Sequence, residues 1–528
     1  MSADRPWLAA ARGASEDGGR HRGQARRRRA AAPGPLQPGR LGWEIAGGGA
    51  AAIVDAPPEF RGPTVQAAGL YPFSAGGTLP MVGAALGPHL EGRGMVCADH
   101  VSWFAANLIN NPSAFILGRP GLGKSSLVVR LILQLVTKGI IPLVLSDLKG
   151  EYVALIRDCL GGQVVSPGRG SEYVNPLDRG PLSDLLHQLP DNVRGEATQD
   201  IEARRLNVMT GLCELALLRS LEAHERSVLA AAPLLWEEEN PGRVPVVPDI
   251  LDLVRSRPQR LAEVVNDRGD AERYFTRLEG LIDALIALSG RGEFGDVFAR
   301  HTTSPLLMHK PAVFDLSSVD GMDSRLQGGL QLVCWSYGSA AVAAAKYIGE
   351  AGLAPRRTYL MVMDELWRAL RAADFMVDRV DDVTRLNRTL GLAQTLVTHT
   401  MDDLQLSTPD ATAKAFGFVS RSEMVFLGGL APKEMGNLKQ VFGMTEAEEH
   451  TLTSWSVSGT VNPETGNADP PPGRGKFMLK VGKEIGTPFR VNLTSAELAI
   501  HDTNVNWADT IASLSKSGRR PTRDTLDG

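Results

Sequence analysis

The pattern Gly-x-x-x-x-Gly-Lys-Ser at residues 118–125 constrains this chain more than any other feature of its sequence. It follows the short apolar run 114–117, which predicts a buried strand, and precedes residues 126–137, where leucines recur at helical spacing. Glycines let successive backbone N–H groups curl around a phosphate, and a helix beginning there adds the positive end of its dipole. The strand, turn and helix together predict a phosphate-binding loop (P-loop).

The loop supplies the predicted nucleotide contacts. In known P-loops the lysine reaches the β- and γ-phosphates and the hydroxyl that follows it binds Mg²⁺, so we expect ATP and Mg²⁺ as cofactors, with Lys124 and Ser125 in these roles. The residues predicted to contact the nucleotide are Gly118, Arg119, Pro120, Gly121, Leu122, Gly123, Lys124, Ser125 and Ser126.

Two carboxylates follow a second apolar run, at Asp364 and Glu365. Beside a P-loop, the first would lie near the metal and the second would polarise the attacking water, and both roles place the acid at the end of a strand beside the P-loop strand. Asp147 also ends an apolar run, but no glutamate follows it directly, so it is the weaker metal candidate.

Further candidates come later in the chain. His399 follows the predicted strand 392–398, where its side chain could sense the γ-phosphate, or could be purely structural. Arg385 and Arg388 precede that strand and Arg421 precedes the next. Any of the three could act as an arginine finger in a neighbouring subunit, or could be an ordinary surface arginine.

Strand signals alternate with helical ones, which predicts an α/β fold with a mainly parallel sheet. We predict an Arg/Gly/Pro-rich disordered tail over 1–58 and a small β-rich lead-in over 59–110. The nucleotide-binding domain is predicted as 111–184 and 306–512, interrupted by a helical insertion over 185–305 and closed by a C-terminal hairpin. Residues 513–528 are predicted to be a flexible tail.

Composition excludes several classes of protein. The four cysteines are far apart, which argues against a disulfide framework or a zinc site. No apolar run approaches the length that spans a bilayer, and the N-terminus lacks the apolar core of a secretory signal. The net charge of -4 divides unevenly, because residues 1–50 carry nine arginines against four acids and the remainder sums to -9. The basic segment could touch phosphates or acidic lipid, or be only a solvated tail or a misassigned start.

With these motifs in place, residues 70–510 resemble the FtsK–HerA branch of P-loop ATPases. Within it they look most like conjugation and type IV secretion ATPases of the VirB/TraC type, in an actinobacterial form. The matching stretches are 111–113 (Asn-Pro-Ser), 147–152 (Asp-Leu-Lys-Gly-Glu-Tyr), 175–178 (Asn-Pro-Leu-Asp), 364–367 (Asp-Glu-Leu-Trp), 398–400 (Thr-His-Thr) and 473–475 (Gly-Arg-Gly). Leu148 stands where the family commonly has proline, and His399 where the wider family has glutamine.

The resemblance implies a RecA-like P-loop NTPase fold and an ATP-hydrolysing motor, usually a hexameric ring with its sites between subunits. It implies channel proteins of a secretion apparatus as partners, DNA or nucleoprotein as a possible substrate, and a cytoplasmic location at the inner face of the membrane. No transmembrane segment is predicted, unlike in the related coupling proteins.

Two other functions stay open at this point. A HerA/FtsK-like translocase or coupling protein would thread double-stranded DNA, although a net charge of -9 beyond residue 50 is poor material for a wholly basic pore. A nucleotide-binding scaffold with little hydrolysis would have no need for the water-polarising Glu365.

Overall fold

Nine strands form one sheet in the computed structural model, which describes residues 80–92, 94–168, 172–290, 292–384, 391–459 and 470–500. In chain order these strands are β3 (Ser113–Leu117), β4 (Ile141–Asp147), β5 (Gln163–Val165), β6 (Ala312–Asp315), β7 (Tyr359–Met363), β8 (Leu392–Thr398), β9 (Met424–Leu427), β10 (Lys476–Val481) and β11 (Thr487–Arg490). They lie side by side in the order β11-β10-β9-β3-β8-β7-β4-β6-β5.

The seven strands from β3 to β9 are parallel wherever they pair with one another. The last two strands are antiparallel, since β10 pairs with β9 on one side and with β11 on the other. This arrangement confirms the predicted α/β class with a mainly parallel sheet.

One prediction about strand order is wrong: the acidic strand does not lie beside the P-loop strand. β8 lies between them and pairs with β3 on one side and β7 on the other. Lateral order is set by how each crossover returns to the sheet, which a single sequence does not specify. As a consequence, His399, which follows β8, lies between the P-loop and the two carboxylates.

Helices cover both faces of the sheet, and alternate residues of one strand face opposite sides. Phe115 and Leu117 belong to one buried apolar cluster, while Ala114 and Ile116 belong to the other. The helices are α1 (His100–Ala105), α2 (Lys124–Val136), α3 (Asp191–Leu217), α4 (Ala223–Glu239), α5 (Val247–Arg255), α6 (Gln259–Val265), α7 (Ala271–Leu288), α8 (Ser324–Glu350), α9 (Leu366–Ala372), α10 (Met376–Thr384), α11 (Pro409–Arg421), α12 (Met435–Val441), α13 (Glu446–Trp455) and α14 (Ser495–Ile500).

Helix α8 packs tightly against the sheet opposite α2. It is 27 residues long and 20 of them are buried, so it has no polar face that would mark it in the sequence. Gly338 permits the close approach to β4, since a Cβ at this position would lie 2.4 Å from the nearest Leu145 methyl carbon.

Helices α3 to α7 lie within the predicted insertion, and the described part of 185–305 contains no strand. The preceding motif 175–178 is hydrogen-bonded to this segment. The Asn175 side-chain amide donates to the Pro245 carbonyl at 2.9 Å, and Arg204 donates to the Asp178 carbonyl at 2.7 Å. These contacts give the motif a structural role.

Before the sheet, β1 (Ala85–Pro88) and β2 (Met95–Cys97) form a two-stranded antiparallel pair. The pair is joined to the closing hairpin, because Leu90 N–H donates to the Pro488 carbonyl at 2.9 Å and Asn492 N–H to the Leu86 carbonyl at 3.1 Å. The predicted terminal tails and most of the lead-in before β1 lie outside the described residues, and the segment boundaries stay predictions. Within the described helices, none has the length and apolar character needed to cross a membrane.

Candidate active site

The P-loop connects the end of β3 to the start of α2. Gly123 has φ +95°, a left-handed conformation that favours glycine. Gly118 closes against a neighbouring strand end, since a Cβ there would lie 3.2 Å from the Gly428 Cα. Arg119 and Leu122 do not line the pocket and instead anchor the loop to the rest of the fold. The Arg119 guanidinium donates to the Ser456 carbonyl at 2.7 Å, and Leu122 is buried.

The loop opens into a pocket of about 160 Å³. Its lining residues are Pro120, Gly121, Gly123, Lys124, Ser125, Ser126, Lys149, Glu151, Asp364, Glu365, His399, Arg474, Leu493 and Leu498. The pocket therefore brings together the predicted P-loop, both predicted carboxylates and the predicted sensor histidine. The sequence motifs predict no site role for five of these lining residues, which are Lys149, Glu151, Arg474, Leu493 and Leu498.

Lys124 is buried, with 8% of its surface exposed. Its ammonium donates to the Gly118 carbonyl at 2.7 Å and to His399 Nδ1 at 2.8 Å. Burial lowers the pKa of Lys124 to about 8, although the charges of Asp364 and Glu365 favour its protonated form. With a longer bond to the Arg119 carbonyl at 3.5 Å, the ammonium is held in the pocket by three acceptors, none of which is a carboxylate.

Glu365 is only 4% exposed. It lies between β7 and α9, immediately before the first residue of α9, and its backbone has the uncommon value φ +52°. Its carboxylate accepts from Lys149 Nζ at 2.5 Å and from Trp367 Nε1 at 2.6 Å, and lies 3.1 Å from His399 Nε2. Burial would raise the pKa of Glu365, but the bonds from His399 and Lys149 hold that pKa well below its ordinary value. The carboxylate is thus ionised and precisely oriented by three donors.

His399 bridges the cation and the anion of the site. A lysine ammonium has only hydrogens to offer, so Nδ1 must accept from Lys124. The remaining nitrogen, Nε2, then carries the hydrogen and donates to Glu365 Oε2. The neutral ring thereby couples the position of Lys124 to that of Glu365.

Asp364 and Ser125 offer oxygen ligands that suit Mg²⁺. Ser125 lies in the first turn of α2 and lines the pocket. Asp364 accepts from the Tyr152 hydroxyl at 2.8 Å and from the Glu365 backbone N–H at 2.8 Å. Burial and the neighbouring Glu365 raise the pKa of Asp364, and a cation held beside it would favour its ionised form. Each Asp364 oxygen keeps a lone pair beyond these bonds, so the donor set fits one metal that completes its shell with phosphate oxygens and water.

Asp147 turns inward and is 2% exposed. It accepts from the backbone N–H groups of Glu151 at 3.0 Å and Tyr152 at 2.8 Å, which fixes the turn after β4. Burial raises the pKa of Asp147 to about 7. This turn places Lys149 against Glu365 and the Tyr152 hydroxyl against Asp364.

Of the three candidate arginine fingers, only Arg421 lies among the described residues, and it does not line this pocket. Arg385 and Arg388 lie outside the described residues, so their predicted role stays a prediction. Arg421 ends α11 and pairs with Asp381 at 2.6 Å.

No protein-family model and no curated protein sequence matches the chain. Among solved structures, it is similar to VirB4 of Thermoanaerobacter pseudethanolicus, with 17% sequence identity and a TM-score of 0.57, over 80% of this chain and 100% of that chain. It is also similar to the bacterial conjugative coupling protein TrwBΔN70, with 13% identity and a TM-score of 0.44, over 73% of this chain and 86% of that chain. The match to VirB4 confirms the predicted RecA-like P-loop NTPase fold, and VirB4 is the class of protein that the motifs resemble.

Proposed function

We propose that this chain hydrolyses Mg-ATP and works as the motor of a conjugative-transfer or type IV secretion apparatus. The observation that carries the ATPase proposal is the buried, ionised Glu365 carboxylate, which lines the same pocket as Lys124 and is joined to it through His399. The fold shared with VirB4 and the motifs quoted above support the assignment to a secretion apparatus.

Binding would use the backbone N–H groups of the P-loop and the Lys124 ammonium to hold the β- and γ-phosphates. Ser125 and Asp364 would hold Mg²⁺, which supplies charge neutralisation at the phosphate oxygens. Lys124 would then exchange its contacts with Gly118 and His399 for phosphate oxygens, because a buried ammonium gains more from an anion than from neutral acceptors.

Glu365 would orient the attacking water. Its lowered pKa makes it a poor acceptor of a full proton but a dependable acceptor of a hydrogen bond, since it stays ionised at neutral pH. This suits phosphoryl transfer, in which catalysis comes mainly from positioning and electrostatic stabilisation. Once Lys124 has left His399 Nδ1, the ring could turn and donate its Nε2–H to the γ-phosphate instead of to Glu365, and this exchange is the sensor role we propose for His399.

The assembly belongs to the same proposal. We propose a homo-oligomeric ring, hexameric as the resemblance implies, in which Arg385 or Arg388 completes the site of a neighbouring subunit. We propose that the ring lies in the cytoplasm at the inner face of the membrane, docked on channel proteins, with DNA or nucleoprotein as possible cargo.

The test is ATP turnover against protein concentration, with and without double-stranded DNA at low salt. We expect a rate per chain that rises steeply with concentration, is lost in Lys124→Ala and does not depend on DNA. DNA stimulation with steep salt dependence would instead identify a translocase. ATP binding without turnover at any concentration would contradict the motor and support a scaffold.

A further inference from the structure

The residues that line the pocket are of two chemical kinds. Lys124, Glu365 and His399 are charged or polar. Leu493 and Leu498, here called the apolar rim, are apolar, and Leu498 is 56% exposed. A ligand that contacts both kinds must therefore join charged groups to an apolar face.

Resting on the proposed function, we infer that Leu493 and Leu498 form the subsite for the base of a nucleoside triphosphate. The phosphates contact the P-loop and Lys124, and the flat, weakly polar base is the part of the substrate that an exposed leucine can cover. Arg474 lines the same pocket and makes no side-chain hydrogen bond or ion pair with the described residues. Its guanidinium can stack on a base or approach the sugar.

Backbone hydrogen bonds connect the segment that leads to the apolar rim with the P-loop. Gly475 N–H donates to the Leu122 carbonyl at 2.9 Å, and Val491 N–H donates to the Gly475 carbonyl at 2.7 Å. The chain that leaves β11 is thus joined to the phosphate-binding loop through Gly475 before it reaches Leu493.

Helix α14, which carries Leu498, is tied to the P-loop helix α2 by an ion pair. Both Glu497 carboxylate oxygens accept from Arg130 Nη1, at 2.7 and 2.9 Å, and Arg130 Nη2 donates to the Asn492 carbonyl at 2.6 Å. The two charged side chains are 13% and 6% exposed, so solvent screens the pair little. Leu498 therefore lies on a helix that is held against the P-loop helix, as a base subsite needs to be.

Comparing two ligands separates the base from the phosphates. The full chain is titrated calorimetrically with Mg-ATP and with inorganic tripolyphosphate in Mg²⁺, which shares the phosphates but has no base. Leu498→Ala should weaken ATP binding about three- to tenfold, the effect of losing part of an apolar contact, and leave tripolyphosphate binding unchanged. Ile485→Ala is the matched control, since Ile485 is 75% exposed in the β10–β11 turn and does not line the pocket.

A second variant tests the positioning of the rim. Arg130→Gln should release α14 and reproduce the selective loss of ATP over tripolyphosphate. Equal ATP affinity in Leu498→Ala and wild type would overturn the inference. An equal loss for both ligands would also overturn it, because it would indicate a general disturbance of the pocket.

The inference and the proposed function fail differently. Lys124→Ala should lose both ligands if the pocket is a phosphate site at all. A wild-type chain that binds neither ligand would refute the proposed function and the base subsite together, whereas intact tripolyphosphate binding with no gain from the base refutes the subsite alone.

Discussion

The affinity for nucleotide should fall as the pH rises through the pKa of Lys124. That pKa is lowered from 10.5 to about 8, first by burial, so the charge is lost in a range where an exposed lysine keeps it. If only the protonated form binds the phosphates, about nine-tenths of the chains are competent one pH unit below this pKa and about one-tenth one unit above it. Nucleotide affinity should therefore fall about tenfold between about pH 7 and about pH 9.

Neighbouring charges should move this midpoint in opposite directions. Glu365 favours the charged form of Lys124, so Glu365→Gln should shift the midpoint to lower pH. Lys149 disfavours it, so Lys149→Met should shift the midpoint to higher pH. The two substitutions remove the two partners of the same hydrogen bond, so a general loss of structure would not shift the midpoint in opposite directions.

The assay is equilibrium titration of a fluorescent nucleotide at constant ionic strength across this pH range. Lys124→Ala is the control, and any nucleotide binding that it retains should show no midpoint near pH 8. A flat wild-type profile, or the same profile in Lys124→Ala, would refute the account of a cation whose pKa is lowered by burial.

Three further predictions concern the scaffold and the support of the site. Gly338→Ala should lower the free energy of unfolding by about 1–3 kcal/mol, because its Cβ would overlap a leucine of β4. Gly195 lies on an exposed helical face with open space around it, so the control Gly195→Ala should raise that free energy by up to about 1 kcal/mol. Chemical denaturation measures both. The pKa of Asp147 in the folded state is raised from 3.8 to about 7, so its contribution to stability is present at acid pH and is lost as the pH rises through that value. The thermal midpoint of Asp147→Asn should therefore change less than that of wild type between about pH 5 and about pH 8. The same dependence of the midpoint on pH in both proteins would contradict this. Trp367→Phe removes one donor to Glu365 and should lower ATP turnover several-fold with little change in binding, a result that equal losses in both would contradict.

The sequence predicted the elements that are marked by local signals. The P-loop, β7 with its two acids and β8 with its histidine follow from apolar runs that end in polar residues. Helix α8 carries no such signal, because it is buried on nearly every side and its glycines and alanines give no polar face. Its position depends on close packing against β4, which is a property of the fold rather than of the segment.

The parts of the site that the sequence did not predict are contacts between distant segments. Lys149 and Glu365 are 216 residues apart, and they meet because β4 and β7 are neighbours in the sheet. Leu498 reaches the P-loop only through the ties of the closing hairpin and the Arg130–Glu497 pair. Neither contact has a local signature, so only the lateral order of strands and the path of the last hairpin bring them to the pocket.

The most direct test of the ATPase account is the turnover of Mg-ATP by Glu365→Gln at saturating nucleotide. The account predicts binding within a few-fold of wild type and turnover reduced by on the order of 10²–10⁴, since the attacking water loses its anionic acceptor. Glu151→Gln is the matched control, a carboxylate that lines the same pocket and is expected to keep turnover within several-fold of wild type. Unchanged turnover in Glu365→Gln, or an equal loss in both variants, would contradict the assignment of Glu365 and with it the mechanism proposed for this chain.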